Sequence, residues 1–250
     1  MRADGAKCVV HLYALCWNEE RLLPFFFHHY DSIVTHYFIF DHDSTDRSRE
    51  LLTAHPRLSL GKFEVRADSY VSSARDFYNH AWKQSRGRAD WVVICNIDEH
   101  LEHPQLAKLF IQARKTEATI FASEGYEMIT ANFPAGNAPL HQQTRRGWRS
   151  HFFDKTSIFN PNEIREITYG VGRHTCTPQG CVVWAAEPVR LLHYKYLRLD
   201  YLQRRTAELA TRRRAGDISQ NFAYHYEATA EQLAAFYQLK LETASAIDRN

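Results

Sequence analysis

The sequence predicts an α/β protein in which a largely parallel sheet is wrapped by helices, and three observations predict it. Residues 8–15, 36–40 and 91–95 are short apolar runs rich in β-branched and aromatic side chains, each too short for a typical helix. Segments with apolar residues at helical spacing separate these runs. The 250 residues, 44% of them hydrophobic, suffice for a full-sized core.

Taken in order, residues 8–15 form the first strand, and Pro24 suits the first turn of a helix carrying Phe26, Phe27 and Tyr30. The second strand is 36–40, followed by a helix at 48–52 and an alternating strand at 60–65. A helix at 73–85 precedes the strand at 91–95. Pro104 then opens a helix to about Lys115, with Leu106, Leu109, Phe110 and Ala113 on one face. This β-α alternation implies parallel pairing. Beyond it lies a strand at 119–122 and an irregular stretch at 130–150, long enough to read as a functional flap. Strands are expected at 151–159, 181–185 and 189–194, then a helix at 199–214 ended by Gly216. A last helix starts at Thr229, where Thr229 and Gln232 make a capping-box pattern. The organisation expected is one domain over residues 1–197 with a helical C-terminal appendage, 198–250, packed on it.

Lys and Arg total 31 against 29 Asp and Glu, a net charge of +2 that does not mark a nucleic-acid binder. The arginines between Arg198 and Arg214 read as a solvated face, or as a peripheral contact for an anionic lipid-linked acceptor or membrane surface. No run approaches the ~18 apolar residues of a membrane span, and the N-terminus lacks a signal-peptide pattern, so a cytoplasmic protein is expected. Five cysteines, an odd number without CxxC spacing, agree with a reducing compartment. A phosphate-binding Walker loop and a GxSxG elbow are absent, which argues against that kind of NTPase and against an α/β-hydrolase.

Ligands of open α/β sheets bind beyond the carboxyl ends of the strands. The first strand ends in Trp17-Asn18-Glu19, the second in Asp41-His42-Asp43-Ser44-Thr45-Asp46, and the third apolar run in Asn96-Ile97-Asp98-Glu99. Singly, each acidic end could be only a turn or a helix cap. Together, on one edge, the carboxylates repel unless a cation or sugar hydroxyls lie between them.

The segments NEERLLPFFFHHYDSIVTHYFIFDHDSTDRS and ADWVVICNIDEHLEHP, with SEGYEM, KTSIFNP, GVGRH and LLHYK after them, resemble nucleotide-sugar-dependent glycosyltransferases of family 2 with the GT-A fold, in the bacterial branch with a DxDEF-like motif. The resemblance implies inverting sugar transfer from a nucleoside diphosphate sugar to a hydroxyl of a glycan or lipid-linked acceptor, helped by Mn²⁺ or Mg²⁺, in polysaccharide or glycoconjugate assembly. It implies that Asp41, with Asp43 close by, grips the nucleotide and that Trp17, Asn18 and Glu19 line the same pocket. The DxD position is Asn96-Ile97-Asp98, where Asn96 replaces the first acid, so Asp98 carries the metal contact and weaker metal dependence is implied. His193 of LLHYK closes the metal site, and Lys195, on the same strand face, neutralises phosphate. The base is expected at His174 of GVGRH, with Glu124, Glu127 and Glu166 as rivals. Two other readings stay open: a non-catalytic sugar-nucleotide-binding module, motivated by Asn96, and a metal-dependent phosphohydrolase. His174, Cys176, Cys181 and His193 could also be read as a zinc site, at a spacing that is not a standard one.

Overall fold

The computed structural model describes residues 8–136 and 138–247. Strand β1 (Val10–Cys16) is buried at every position, as an apolar run at the middle of a sheet should be. Helix α1 (Leu23–Tyr30) has Pro24 in its first turn and buries Leu23, Phe25, Phe26 and Tyr30. Strand β2 (His36–Asp41), α2 (Ser48–Ala54), β3 (Leu58–Lys62), α3 (Tyr70–His80) and β4 (Trp91–Ile94) follow. These strands lie in the order β3-β2-β1-β4, all parallel. The order reverses at β1, so the carboxyl ends of β1 and β4 flank the crevice where such sheets bind ligands.

After β4 the chain changes sheets. It turns through Asn96, Ile97 and Asp98 into β5 (Glu99–Glu102), then runs through α4 (Leu106–Lys115), β6 (Ile120–Phe121), β7 (Ser123–Thr130), α5 (Leu140–Gln143), β8 (Arg146–Arg149) and β9 (Ile158–Phe159). β9 and β6 extend the first sheet in antiparallel sense. β10 (Ile164–Glu166) and β11 (Gln179–Gly180) make a small ribbon, and β12 (Val189–Leu197) leads to α6 (Leu199–Ala210), α7 (Ala215–Ser219), α8 (Ala230–Thr243) and β13 (Ser245–Ala246). The second sheet has the order β13-β8-β7-β12-β5. Its register places His193 of β12 opposite Glu99 of β5 on one side and opposite Glu127 of β7 on the other.

The expected α/β class and the β-α alternation hold, while several elements in the second half differ. Residues 151–159 do not form one strand: His151–Phe153 is a 3-10 turn, seated on Gly125, where a Cβ would lie 2.4 Å from Phe153. Residues 181–185 are apolar but largely exposed, tied to Thr119 by hydrogen bonds from both directions around Val183. The stretch 130–150 contains α5 and β8, the latter paired with β7. Gly216 does not end a helix. It lies inside α7, whose Asp217 accepts from Ser69 Oγ at 2.7 Å and from the Tyr70 and Val71 amides at 3.1 Å. The C-terminal segment thereby caps α3, supplying acceptors for amides that have no partner inside the helix.

Candidate functional site

A cleft of about 650 Å³ opens at the carboxyl ends of β1 and β4, lined on its far side by α6 and by residues 221–226. Its floor follows from the strand registers. His193 donates from Nδ1 to Glu127 Oε2 at 2.7 Å and from Nε2 to Asp98 Oδ2 at 3.1 Å. Burial alone would push this imidazole down, but Glu127 and then Asp98 overcome it and hold its pKa at about 10. Asp98, whose burial is outweighed by His193, is held below the usual carboxylate range. Phe153 stacks on the His193 ring at 4.2 Å and fixes its plane.

Beneath this floor lies a wholly buried ion cluster. Glu99 accepts from Lys155 Nζ at 2.6 Å, from the Asn96 amide at 2.9 Å and from the Arg173 guanidinium. Arg173 also donates to Ile94 O at 2.8 Å. Burial opposes ionisation of Glu99, yet Arg173 and Lys155 hold its pKa far below the ordinary value. One carboxylate facing two cations leaves positive charge under the cleft.

The side near β2 has unmet polar demand. Trp17 Nε1, Asp41 Oδ1 and His42 Nδ1 are buried with no hydrogen-bond partner among the described residues. They sit on adjacent strand ends, since Cys16 and Asp41 are register partners. Asp41 Oδ2 is engaged, accepting from the Ser44 amide and from Arg49 at 3.1 Å. Buried orphan groups of this kind are costly unless a ligand or water completes them. The Trp17 ring lies 4.4 Å from Arg212 and 5.1 Å from Arg205. Arg205 also pairs with Glu19, whose carboxyl burial pushes up to about 7 against the pull of that cation.

Of the residues singled out in the sequence, Trp17, Glu19, Asn96, Asp98, Glu127, His174, His193 and Lys195 line the cleft. Asn96 is already engaged: its Oδ1 accepts from Tyr78 at 2.8 Å and its Nδ2 points to Glu99. His174 donates from Nδ1 to Phe152 O at 2.7 Å, so Nε2 is its acceptor edge. Burial, reinforced by Lys155, lowers its pKa to about 4. Lys195 makes no ion pair among the described residues, and burial lowers its pKa against the attraction of Glu127 and Asp98.

Five positions fall outside the cleft lining: Asn18, Asp41, Asp43, Glu124 and Glu166, of which Asp41 is wholly buried at the end of β2. Asn18, in a left-handed conformation, ties the β1 and β2 ends together by accepting from the Thr45 amide at 2.8 Å. Asp43 is exposed and faces Lys62 at 3.6 Å. Glu124 alternates with Glu127 along β7 and so points to the opposite face, toward a small cavity beside Arg190. Glu166 accepts from Lys83 Nζ at 2.7 Å. The zinc arrangement does not form: Cys176 contacts Thr156, Cys181 is exposed, and no group of three His, Cys, Asp or Glu among the described residues could hold a metal. Sequence reasoning missed Lys155, Arg173 and Arg205. A Lys or Arg buried against Glu leaves no periodic signal, and of the arginines read as a solvated face, Arg205 on α6 and Arg212 just beyond its end line the cleft.

Mn²⁺ or Mg²⁺ can be tested against these side chains. His193 Nε2 and Asp98 Oδ2 face one another, and Glu127 on Nδ1 supplies the outer carboxylate that orients metal-binding histidines. Two protein donors suit an ion whose other ligands are phosphate oxygens and water. The residues fit. No helix among the described residues is long and apolar enough to cross a membrane.

No protein-family model matches the chain, and no curated protein matches it significantly. Among solved structures it is similar to the crystal structure of S. aureus TarS 1-349, at 9% identity over 82% of this chain and 65% of that one, with a TM-score of 0.47. The UDP-GlcNAc complex of the same protein gives 9% identity, 82% and 66% coverage and a TM-score of 0.42. Glucosyl-3-phosphoglycerate synthase from Mycobacterium tuberculosis, in complex with Mn²⁺, UDP and phosphoglyceric acid, gives 14% identity over 48% of this chain and 43% of that one, with a TM-score of 0.34. The chain thus spans less than two thirds of the length of each.

Proposed function

We propose that this chain is a GT-A-type, metal-assisted inverting glycosyltransferase that moves a sugar from a nucleoside diphosphate sugar to an acceptor hydroxyl. The observation that carries the reading is the adjacency of two half-sites at the sheet's switch point. On one side are the orphaned polar atoms of Trp17 and His42 in the cleft lining, suited to a base and ribose, with the orphaned Asp41 oxygen buried at the adjacent strand end. On the other is the Asp98–His193–Glu127 chain beside Lys195, suited to a diphosphate.

In this reading Asp98 and His193 hold the divalent ion, which neutralises the departing diphosphate when bound. Glu127 keeps the His193 tautomer fixed. Lys195 adds a cation aimed into the cleft, and the surplus charge of Lys155 and Arg173 over Glu99 favours the same anion. The acceptor oxygen forms its bond to the anomeric carbon as the bond to the diphosphate oxygen breaks, the electron pair leaving with the diphosphate. His174 Nε2 takes the acceptor's proton, since Glu127 is committed to His193. The transfer serves glycan or glycoconjugate assembly.

Thermal-shift titration with UDP, GDP, CDP and dTDP, each with Mn²⁺ and with EDTA, tests the reading, because a ligand of the native state raises the melting temperature. One nucleotide should shift the protein in Mn²⁺ and less in EDTA. Asp98→Ala should lose the metal-dependent part, and Asp41→Ala should weaken nucleotide binding itself. No shift with any nucleotide would reject a nucleotide-sugar site.

A further inference from the structure

The cleft carries, at its mouth, an aromatic surface that donor binding does not use. Phe152 is 62% exposed although it lines the cleft. It is not a loose side chain. The His174 ring stacks on it at 3.5 Å and donates to its backbone carbonyl. Gly172 makes that stack possible: its φ is +64°, and a Cβ there would lie 2.6 Å from the His174 ring. The turn bearing Phe152 is itself seated on Gly125. An exposed apolar ring held this firmly is a platform rather than a surface accident.

We infer that Phe152 is an acceptor subsite, taking the C–H face of a pyranose ring that belongs to an acceptor of at least two sugar rings. The inference rests on the transferase reading and names the acceptor class for it. Phe152 is separated from His193 by two ring contacts, Phe152 to Phe153 at 5.6 Å and Phe153 to His193 at 4.2 Å. Those two contacts keep Phe152 within about 10 Å of His193, close enough for one sugar ring on Phe152 to be linked to another at the floor of the cleft. His174 already covers one face of Phe152, so an incoming ring meets the other face, away from His174 Nε2. The hydroxyl that reacts must therefore sit on a neighbouring ring deeper in the cleft.

The chemistry around the platform favours a sugar over a lipid chain. The negative face of an aromatic ring attracts the weakly positive C–H face of a pyranose. Beside Phe152, His151 is exposed and can meet a hydroxyl, whereas His174 covers the opposite face with its Nδ1 held by the Phe152 carbonyl. Val171 and Tyr224 also expose apolar surface in the cleft lining, but a polyprenyl chain would need a continuous apolar groove, whereas Phe152 is flanked by two imidazoles.

The test is ligand-observed saturation-transfer NMR on the full chain saturated with the nucleotide and Mn²⁺. The probes are cellobiose, lactose, maltose and chitobiose, the matching methyl monosaccharides, and farnesyl phosphate. At least one disaccharide should receive saturation on the ring protons of one sugar face, more strongly than its methyl monosaccharide. Phe152→Ala should weaken that binding about fivefold to tenfold, as loss of one ring contact implies, while Phe152→Trp retains it. Gly172→Ala, which displaces His174, should weaken it too. Equal saturation in wild type and Phe152→Ala, no disaccharide signal, or a Phe152-dependent signal from farnesyl phosphate alone would each overturn the inference. Nucleotide binding, measured on the same samples, separates the two levels. Its loss in all proteins rejects the transferase reading, whereas nucleotide binding without disaccharide binding rejects only the subsite.

Discussion

Glu99→Gln is the substitution whose consequence the structure fixes most sharply. The change is nearly isosteric, so packing survives, but it removes the one negative charge that Lys155 and Arg173 share. All three side chains are buried, and breaking a buried ion pair by removing one partner costs about 3–5 kcal/mol. For a chain of this size that is a fall in melting temperature of about 6–20 °C. The loss has a pH signature. Burial and Arg173 both push the Lys155 ammonium down, and Glu99 is what holds it up. Without Glu99, Lys155 can shed its proton in the folded state while the unfolded chain keeps it. The unfolded state then binds more protons, so stability of the variant rises with pH. Calorimetric melts of wild type and Glu99→Gln at pH 7 and pH 9.5 should show a large deficit that narrows at the higher pH. Adding Lys155→Met should recover part of it at pH 7. A melting temperature within 2 °C of wild type, or a deficit independent of pH, would refute the account of a charge-compensated core beneath the cleft.

Two further outcomes follow from burial and capping. His11, His174 and His225 are each pushed down to about 4, chiefly by burial, and His100 lies well below its ordinary value. In the unfolded chain these groups protonate near 6.5, so between about pH 6.5 and 4 the unfolded state binds more protons and stability falls as the pH is lowered. Glu19, raised to about 7, works in the opposite sense in that window, and His193, held at about 10, is already protonated there. Several histidines against one glutamate should leave the protein melting lower at pH 5 than at pH 7 by calorimetry. Asp217→Ala should cost about 1–2 kcal/mol in urea denaturation, since Asp217 caps α3 from outside the helix. Limited proteolysis should then cut more readily within residues 211–227.

The first half of the fold was legible because its signals are local. Apolar runs of strand length alternate with helical spacing, and each acidic strand end falls where a parallel sheet must deliver it. The second half was not, because its elements are set by distant partners: the turn at His151–Phe153 exists where Gly125 leaves room, and residues 181–185 are tied by hydrogen bonds to Thr119, Ile120 and Glu163, with only Val182 and Ala185 packed against the core. The site divides in the same way. The sequence singled out Asp98, Glu127 and His193 separately, and only the β7–β12 register sets Glu127 against His193, while strand alternation turns Glu124 to the opposite face. The arginine-rich helix shows the limit most plainly. Composition cannot tell which of two neighbouring arginines on a helix faces in. Arg204 is 56% exposed and reaches Glu208 at 3.8 Å, whereas Arg205 is 16% exposed, pairs with Glu19 and donates to Trp17 O at 2.9 Å. Arg204→Ala should therefore change stability by no more than about 0.5 kcal/mol. Arg205→Ala should cost about 2–3 kcal/mol, the loss of charge-assisted hydrogen bonds to a buried group, with Glu19 neutralising rather than staying charged. Urea denaturation of the two variants side by side decides the matter: equal small effects would mean that α6 presents its arginines to solvent and that its packing over the cleft is misassigned.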